Sequence, residues 1–324
     1  MKKILLTGAN GFIGSALAEA LGQRNDCEVI ASSRKTFKNG KNCQFIQADL
    51  AKDCEVLSRI KPVDCVIHCA GQTGLSANSK IFEQNNYQVT KNLIDLTARW
   101  GVDKFIFIST PSIYMGPESQ SDIREADIPK NLLTSYATSK LNCEKYLLSK
   151  SQNFNSVVIL RPGTVFGRGN QNLKSAVLKM RGMNKVFRIG ESNPVVSVTS
   201  LDNLVEAIQT VVLSEKEVRG VFNFADEEPV NLTRVLLKDY FEDNGVDYKT
   251  VRLPFRPFYL AGQLIQKVYQ GLGIIQEPFL SPYYVCNLGR TRILNISKFR
   301  ECFNYRASQP SLAGVNEFKK WLEE

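Results

Sequence analysis

A glycine-rich turn directly after a short apolar segment is the feature of this 324-residue chain that most constrains its fold. Residues 3–7 have the sequence KILLT, residues 8–14 have GANGFIG, and an apolar pattern with helical spacing continues to residue 24. The pattern predicts a strand, a tight turn and a helix. Turns of this kind let backbone N–H groups approach a pyrophosphate at the positive end of the helix. We therefore expect a dinucleotide to contact Gly8, Gly11, Phe12, Ile13 and Gly14.

Apolar segments continue at intervals along the first half of the chain. Five more strands are predicted, at residues 27–32, 43–48, 64–70, 102–109 and 156–161. Near-continuous apolar runs suit strands that are covered on both faces, and strands alternating with helices indicate an α/β fold. We expect a doubly wound parallel (Rossmann) sheet with right-handed crossovers.

The alternation weakens beyond about residue 165, where Gly, Asn, Pro and Arg become frequent. We expect a dinucleotide-binding domain of residues 1–165 plus 196–226, and a smaller C-terminal substrate lobe of residues 166–195 plus 227–324. Residues 197–212 predict an amphipathic helix capped by Ser200 or Asp202. Residues 254–275 form an apolar segment with helical spacing.

The composition limits the partners and the compartment. Lys and Arg number 41 against 32 Asp and Glu, which gives a net charge of +9. The cations are scattered, so we expect a solvated basic surface and no nucleic-acid partner. We also expect no cleaved signal and no spanning helix, although peripheral membrane contact stays open. The eight cysteines form no CxxC pair, which indicates reduced thiols in a cytoplasmic protein.

The end of the second predicted strand bears on the choice of cofactor. NAD sites place an acidic residue about twenty positions after the last glycine, where it binds the adenine ribose. Here the neighbourhood is Ser32, Ser33, Arg34 and Lys35. A guanidinium can bind a 2′-phosphate through two parallel hydrogen bonds, whereas a carboxylate would repel it. We therefore predict NADP in preference to NAD, with contacts from Ser33 and Arg34.

A tyrosine and a lysine follow at a spacing suited to proton transfer. Tyr136 and Lys140 are four residues apart, so on a helix they share one face. An adjacent ammonium stabilises a phenolate and lowers the tyrosine pKa from its ordinary value near 10. The preceding FIFIS segment predicts that Ser109 and Thr110 lie at the carboxyl edge of the sheet.

Together these segments resemble the extended short-chain dehydrogenases, the NAD-dependent epimerase/dehydratase group, over essentially the whole chain. The matching segments, in order, are TGANGFIG at 7–14, Asp49-Leu50, HCAG at 68–71, NNYQVTKNL at 85–93, ISTPSIY at 108–114, the Tyr136–Lys140 pair, LRPGTVFGRG at 160–169 and the closing segment at 294–322. The resemblance implies an NAD(P)-dependent oxidoreductase that pairs into a homodimer.

The resemblance also implies roles for individual residues. Thr110 would hydrogen-bond the substrate oxygen, Tyr136 would exchange its proton, and Lys140 would bind the nicotinamide ribose and lower the tyrosine pKa. The residues expected to border the cofactor are Asp49 and Leu50 beside the adenine, Cys69, Ala70 and Gly71 along its length, Asn86 in a supporting role, and Pro162 and Gly163 beside the nicotinamide.

The reaction class follows from these roles, and the substrate stays open. Hydride would pass between the nicotinamide and a secondary alcohol or ketone. Dehydration is disfavoured, because Pro111 and Ser112 follow Thr110 where family dehydratases commonly carry Asp-Glu. No metal site is expected, since His68 is the only histidine.

Three functions remain. The apolar 254–275 segment resembles the C-terminal part of 3β-hydroxysteroid-dehydrogenase-like members of the family. It would line a pocket or face a membrane surface, and the resemblance implies a hydrophobic substrate, steroid-like or long-chain keto. Alternatively Asn170, Arg181, Arg188 and Arg252 would bind a nucleotide diphosphate, which implies a sugar 4-epimerase or 4-ketoreductase. A non-catalytic NADP-binding regulator is the third.

Overall fold

A computed structural model describes most of the chain, and seven of its strands form one parallel sheet. The described residues are 1–36, 42–60, 62–74, 78–190, 194–231, 234–235, 241–242, 245–274, 276, 278 and 280–324. The strands of the sheet are β1 (Lys2–Thr7), β2 (Cys27–Ser33), β3 (Cys43–Gln47), β4 (Cys65–His68), β5 (Lys104–Ile108), β7 (Ser156–Pro162) and β11 (Arg219–Phe224).

The order of the strands is β3-β2-β1-β4-β5-β7-β11, and every pair is parallel. This is the doubly wound order, in which the direction of winding reverses between β1 and β4. The predicted fold class is confirmed. The sixth predicted strand is β7, and the sheet extends past it to β11, which the apolar pattern did not reveal.

Alternating side chains of the strands supply two separate cores. Leu5, Phe105 and Ile159 face one core, whereas Leu6, Ile106 and Leu160 face the other. Six helices contribute to the layers on the two faces: α1 (Phe12–Gly22), α3 (Val89–Arg99), α4 (Ser135–Ser149), α6 (Leu201–Leu213), α9 (Ser297–Phe303) and a 3₁₀ segment at Glu55–Ile60. Burial on both faces explains why these strands have few polar residues.

The glycine turn brings α1 close to the end of β1. Gly8 has φ of +74°, a backbone conformation that favours glycine, and a Cβ on it would lie 2.6 Å from the Ala70 nitrogen. A Cβ on Gly14 would lie 2.2 Å from the Gly8 oxygen. Both positions therefore exclude any larger residue, and the N-terminus of α1 is held beside the carboxyl ends of β1 and β4.

The start of α6 differs from the sequence expectation. Ser200 precedes the helix, but its side chain makes no capping hydrogen bond. Instead the Ser200 backbone N–H donates to Asp226 Oδ2 at 2.7 Å, and Asn203 Nδ2 donates to Asp226 Oδ1 at 2.8 Å. The cap is thus supplied from the residues after β11, which a local sequence pattern does not show.

Smaller elements build the region after the main sheet. Three two-stranded parallel pairs form from β6 (Gln120–Ile123) with β13 (Arg292–Leu294), β8 (Thr164–Phe166) with β10 (Val198–Ser200), and β9 (Lys185–Ile189) with β12 (Lys249–Leu253). The remaining helices are α2 (Ser79–Phe82), α5 (Gln171–Met183), α7 (Phe255–Gly271), α8 (Pro282–Gly289) and α10 (Ser311–Leu322). The division into two domains stays a prediction.

The apolar segment of residues 254–275 forms α7 and the turn after it, while Ile275 lies outside the described residues. The helix packs against α8, and a Cβ on Gly262 would lie 3.0 Å from the Pro282 nitrogen. Leu260, Leu264 and Val268 on its other side are exposed. Among the described residues, no helix is long and apolar enough to cross a membrane.

Candidate active site

Two cavities meet at the glycine turn and form one long cleft at the carboxyl edge of the sheet. One has a volume of about 370 Å³ and the other of about 550 Å³. Both cavities are lined by Gly8, Asn10, Gly11, Cys69 and Gly71. Fourteen of the fifteen residues expected at the cofactor, all but the supporting Asn86, line one cavity or both.

The smaller cavity lies beyond the end of β2. Its walls include Ser33, Arg34, Asp49, Leu50 and Ala70, as expected from the sequence. Gln47 Nε2 donates to the Arg34 carbonyl oxygen at 2.9 Å, which fixes the backbone there. Within the described part of the chain, the Arg34 guanidinium pairs with no carboxylate.

One wall atom of this cavity is a buried hydroxyl that lacks a partner. Ser32 is 1% exposed, and its Oγ makes no hydrogen bond with the described residues. An unmatched buried polar atom is costly unless a ligand satisfies it. The first turn of α1 also lacks a side-chain cap at Gly11. Both features suit a polar ligand that carries phosphate.

The larger cavity contains the predicted reacting groups. Thr110, Tyr136, Pro162 and Gly163 all line it, together with Phe12, Ile13 and Gly14 from the turn. Thr110 precedes a 3₁₀ turn at Pro111–Tyr114, and its Oγ1 accepts from the Ser112 N–H at 3.2 Å. Tyr136 lies in the first turn of α4, where Thr134 Oγ1 caps the Ala137 N–H at 3.1 Å.

The two hydroxyls line the same cavity. Burial raises the pKa of Tyr136 to about 12, and the nearby Thr110 hydroxyl acts in the opposite direction. A tyrosine in this environment keeps its proton at neutral pH. It can donate a proton, and it can accept one only when a neighbouring cation stabilises the phenolate.

Lys140 lies one turn further along α4 and behind the wall of the cleft. Its Nζ donates to the Ile108 carbonyl oxygen at 2.6 Å and lies 4.3 Å from the centre of the Phe107 ring. It is also 3.9 Å from the position of a Cβ on Gly71, which lines both cavities. The Ile108 carbonyl engages the Lys140 ammonium in the structure, and the expected lowering of the Tyr136 pKa by Lys140 stays a prediction. Burial lowers the pKa of Lys140 itself.

Asn86 lies in a one-turn π-helix at Glu83–Gln88, between α2 and α3. Its Oδ1 accepts from the Gln72 N–H at 2.6 Å, and its Nδ2 donates to Ser139 Oγ at 3.0 Å. Such π-helical turns are frequent at functional sites. Asn86 does not line either cavity, and it connects the loop after β4 to the catalytic face of α4.

A buried polar network beneath this site was missed by the sequence analysis. Arg161 Nη2 donates to Glu144 Oε2 at 2.5 Å, and Ser109 Oγ donates to the other carboxylate oxygen. Arg161 Nη1 donates to the Tyr114 hydroxyl, which donates to Asn223 Oδ1 at 2.7 Å. An arginine at the end of the apolar run SVVILR was the available signal. Tyr114 is thus a buried member of this network.

Part of the far wall of the larger cavity is apolar. It includes Met115, Ile123, Val196 and Leu294, and one cation, Arg292. Cys69 adds to the apolar lining, because burial raises its thiol pKa to about 12 and keeps it protonated.

Of the residues expected to bind a nucleotide diphosphate, Asn170 lines the larger cavity. Its amide is already used, since Oδ1 caps the Leu173 N–H of α5 at 3.1 Å and Nδ2 donates to the Val165 carbonyl. Arg181, Arg188 and Arg252 line neither cavity. No cluster of three or more metal-binding side chains occurs in the described ranges.

The sequence pattern of the NAD-dependent epimerase/dehydratase family matches residues 4–225, more than half of the chain. The chain belongs to this family. The expected family and its enzyme class, NAD(P)-dependent dehydrogenases, reductases and epimerases, are thereby confirmed.

Curated relatives and solved structures agree with this assignment. A 2-alkyl-3-oxoalkanoate reductase of Shewanella oneidensis is 24% identical over 98% of this chain and 85% of its own. A decarboxylating sterol-4-alpha-carboxylate 3-dehydrogenase of Mus musculus is 26% identical over 94% and 86%. A UDP-glucuronic acid 4-epimerase from Bacillus cereus, solved with UDP-glucuronic acid and NAD, superposes with a TM-score of 0.75 at 21% identity, over 99% of both chains. At this identity the structural likeness shows the fold alone.

His68 makes a structural contribution that depends on pH. It is completely buried, with Nδ1 2.6 Å from Thr7 Oγ1 and Nε2 2.9 Å from Thr90 Oγ1. Burial, together with the charge of Lys140, lowers the His68 pKa from 6.5 to about 3. The folded protein therefore binds fewer protons than the unfolded chain between these values. The stability from neutral His68 is fully present above pH 6.5 and is lost as the pH falls towards 3.

We expect the imidazole of the folded protein to stay neutral down to about pH 4, well below the ordinary histidine range. Because His68 is the only histidine, selective isotope labelling gives one set of ring signals to follow by NMR. The urea-unfolded chain is the control, and its imidazole should titrate near its ordinary pKa of about 6.5. A titration in that range in the folded protein would contradict the buried, neutral assignment.

Proposed function

We propose that this protein transfers hydride between a nicotinamide cofactor and a secondary alcohol or ketone on a mainly apolar skeleton. The observation that carries the proposal is that Thr110 and Tyr136 line one cavity together. This pair lies in the wall of a cavity that opens directly onto the glycine turn. A proton donor is thus placed next to the space where a nicotinamide ring would reach.

The residues of the cleft suit a bound dinucleotide. The uncapped N-terminus of α1 would hold the pyrophosphate, Asp49 and Leu50 would border the adenine, and Lys140 would approach the nicotinamide ribose. When bound, the cofactor supplies the hydride chemistry.

The chain's own residues would then orient the substrate and move its proton. Thr110 donates to the substrate oxygen and keeps the carbonyl beside Tyr136. Tyr136 gives its proton to that oxygen during reduction and takes it back during oxidation. Its raised pKa keeps the hydroxyl protonated at neutral pH, and the proton moves when the substrate oxygen gains negative charge.

The apolar far wall supports a hydrophobic substrate. Met115, Ile123, Val196 and Leu294 give one part of that wall an apolar surface that a carbon skeleton can contact. The names of the reductase and the sterol dehydrogenase describe a ketone or alcohol on a carbon skeleton of this kind. The nucleotide-sugar alternative has less support, because the three arginines expected at a diphosphate line neither cavity.

Replacing Tyr136 with Phe should reduce turnover by about 10²–10⁴-fold, because the proton donor is lost while the ring remains. A panel of long-chain keto compounds, steroids and UDP-sugars is first screened for the compound that most raises the melting temperature. Turnover of that compound is then followed by NAD(P)H absorbance. Tyr146→Phe is the matched control, since Tyr146 lies on the same helix and its hydroxyl bonds Asp95 away from the cavity.

In this experiment cofactor affinity should be the same for Tyr136→Phe and the wild type. Retention of full turnover by Tyr136→Phe would remove the catalytic assignment of this residue. Absence of turnover by the wild type on the whole panel would favour the non-catalytic regulator. Stabilisation by UDP-sugars alone would instead favour the epimerase or ketoreductase alternative.

We also propose that NADP is the preferred cofactor. Arg34 and Lys35 line the smaller cavity beside the unsatisfied Ser32 hydroxyl, and the end of β2 carries no carboxylate that would repel a 2′-phosphate. These groups together form a suitable pocket for that phosphate.

Arg34→Ala should weaken NADPH binding by about 10–100-fold, the loss expected for a charge-assisted hydrogen bond, and leave NADH binding unchanged. Calorimetric dissociation constants for both cofactors measure the effect. Arg306→Ala, which removes an exposed cation outside both cavities, is the control. Tighter binding of NADH by the wild type, with no effect of Arg34→Ala, would overturn the preference.

A further inference from the structure

The larger cavity contains a cation whose charge is not balanced by any carboxylate of the described residues. Arg292 begins β13, and its side chain forms part of the cavity wall. Nη1 donates to the Cys286 carbonyl oxygen at 2.7 Å, and Nη2 donates to Asn287 Oδ1 at 2.7 Å. Its other partners, at longer distances, are the carbonyls of Arg290 and Asn287. All of these acceptors are neutral.

This environment differs from that of Arg161, the other arginine of the site. Arg161 is matched by the full charge of Glu144, whereas Arg292 is held only by carbonyl and amide oxygens near the C-terminus of α8. Helix carbonyls offer partial negative charge and compensate a guanidinium incompletely. Burial lowers the pKa of Arg292, but a guanidinium keeps its proton at neutral pH. The positive charge therefore persists and favours an anion in the cavity.

Arg292 and Tyr136 line the same cavity, so a substrate inside it would face both groups. Tyr283 of α8 lines this cavity too. The apolar side chains of Ile123 and Leu294 lie in the same wall. The cavity thus combines a proton donor, a cation and an apolar surface.

We propose that the substrate carries a carboxylate and that Arg292 binds it. The substrate class is a hydroxy acid or oxo acid whose reacting carbon lies near the carboxylate and whose remaining skeleton is apolar. Arg292 is then a specificity-determining residue. It selects the charged substrate over neutral analogues, since a neutral group would leave the guanidinium without a counter-ion. The proposal rests on the hydride-transfer function proposed above.

Two pairs of compounds that differ in a carboxylate test the proposal. One pair is 3-hydroxydodecanoic acid and its methyl ester, and the other is 3-oxododecanoic acid and its methyl ester. Wild-type protein should favour the acid of the pair it accepts by about 10–100-fold in kcat/KM, which corresponds to one charge-assisted contact. Arg292→Gln should lose this preference, mainly by raising KM for the acid, while the neutral partner is unaffected.

Two further variants separate binding from a structural role. Arg292→Lys keeps the charge and should restore part of the preference. Arg306→Gln removes an exposed charge outside the cavity and should leave the preference intact. If Arg292→Gln lowers turnover of acid and neutral partner equally, Arg292 only caps α8 and the proposal is wrong.

Binding to the NADPH-loaded protein, measured by thermal shift and by calorimetry, makes the two proposals distinguishable. The acid should stabilise the wild type more than Arg292→Gln, and the neutral partner should affect both equally. Selective binding of an acid without any turnover would support the carboxylate site and count against hydride transfer. Equal binding and turnover of acid and neutral partner in both pairs would overturn the carboxylate site and leave hydride transfer standing.

Discussion

Arg161 and Glu144 form an ion pair inside the protein, and each side chain is only 2% exposed. Burial by itself would lower the pKa of Arg161, but the hydrogen bonds and charge of Glu144 outweigh that effect and raise it. Removing either charge would leave the other without a partner in a medium of low dielectric constant. The pair therefore fixes the position of α4 against the central sheet, with Glu144 facing the end of β7.

The rest of the site depends on that position of α4. Lys140 lies one turn before Glu144 on α4, and Tyr136 lies one turn before Lys140, so all three project from the same face. Fixing Glu144 beneath the sheet edge places Lys140 at the Ile108 carbonyl and Tyr136 in the cavity wall. Asn86 holds the same helix from the other side through Ser139. The proton donor is thereby positioned by contacts that are not part of the reaction.

Local patterns were enough to predict the fold and most of the cleft. The strand, glycine turn and helix at the N-terminus are consecutive in the sequence, and the spacing of Tyr136 and Lys140 depends only on helical geometry. Contacts between distant residues were beyond such patterns. The partner of Arg161 is seventeen residues away in sequence. The cap of α6 comes from Asp226 and not from Ser200.

Arg292 shows the same limit. Nothing in its local sequence distinguishes it from the many surface cations of a chain with net charge +9. The role proposed for Arg292 follows from two features of the structure. No carboxylate of the described residues pairs with it, and it lines a cavity to which β6, β13 and α8 contribute. The apolar segment of α7 misled in the opposite direction. Its pattern suggested a pocket wall, but the walls come from α8, and part of α7 is exposed.

The most direct test of this account is a double-mutant cycle on the buried pair, measured as the free energy of unfolding in urea. Glu144→Leu and Arg161→Met should each cost about 3–5 kcal/mol, because each leaves a buried charge unpaired. The double variant Glu144→Leu with Arg161→Met should cost much less than the sum of the two single changes. Single losses below about 1 kcal/mol that add in the double variant, as for an exposed ion pair, would contradict the central role given to this interaction.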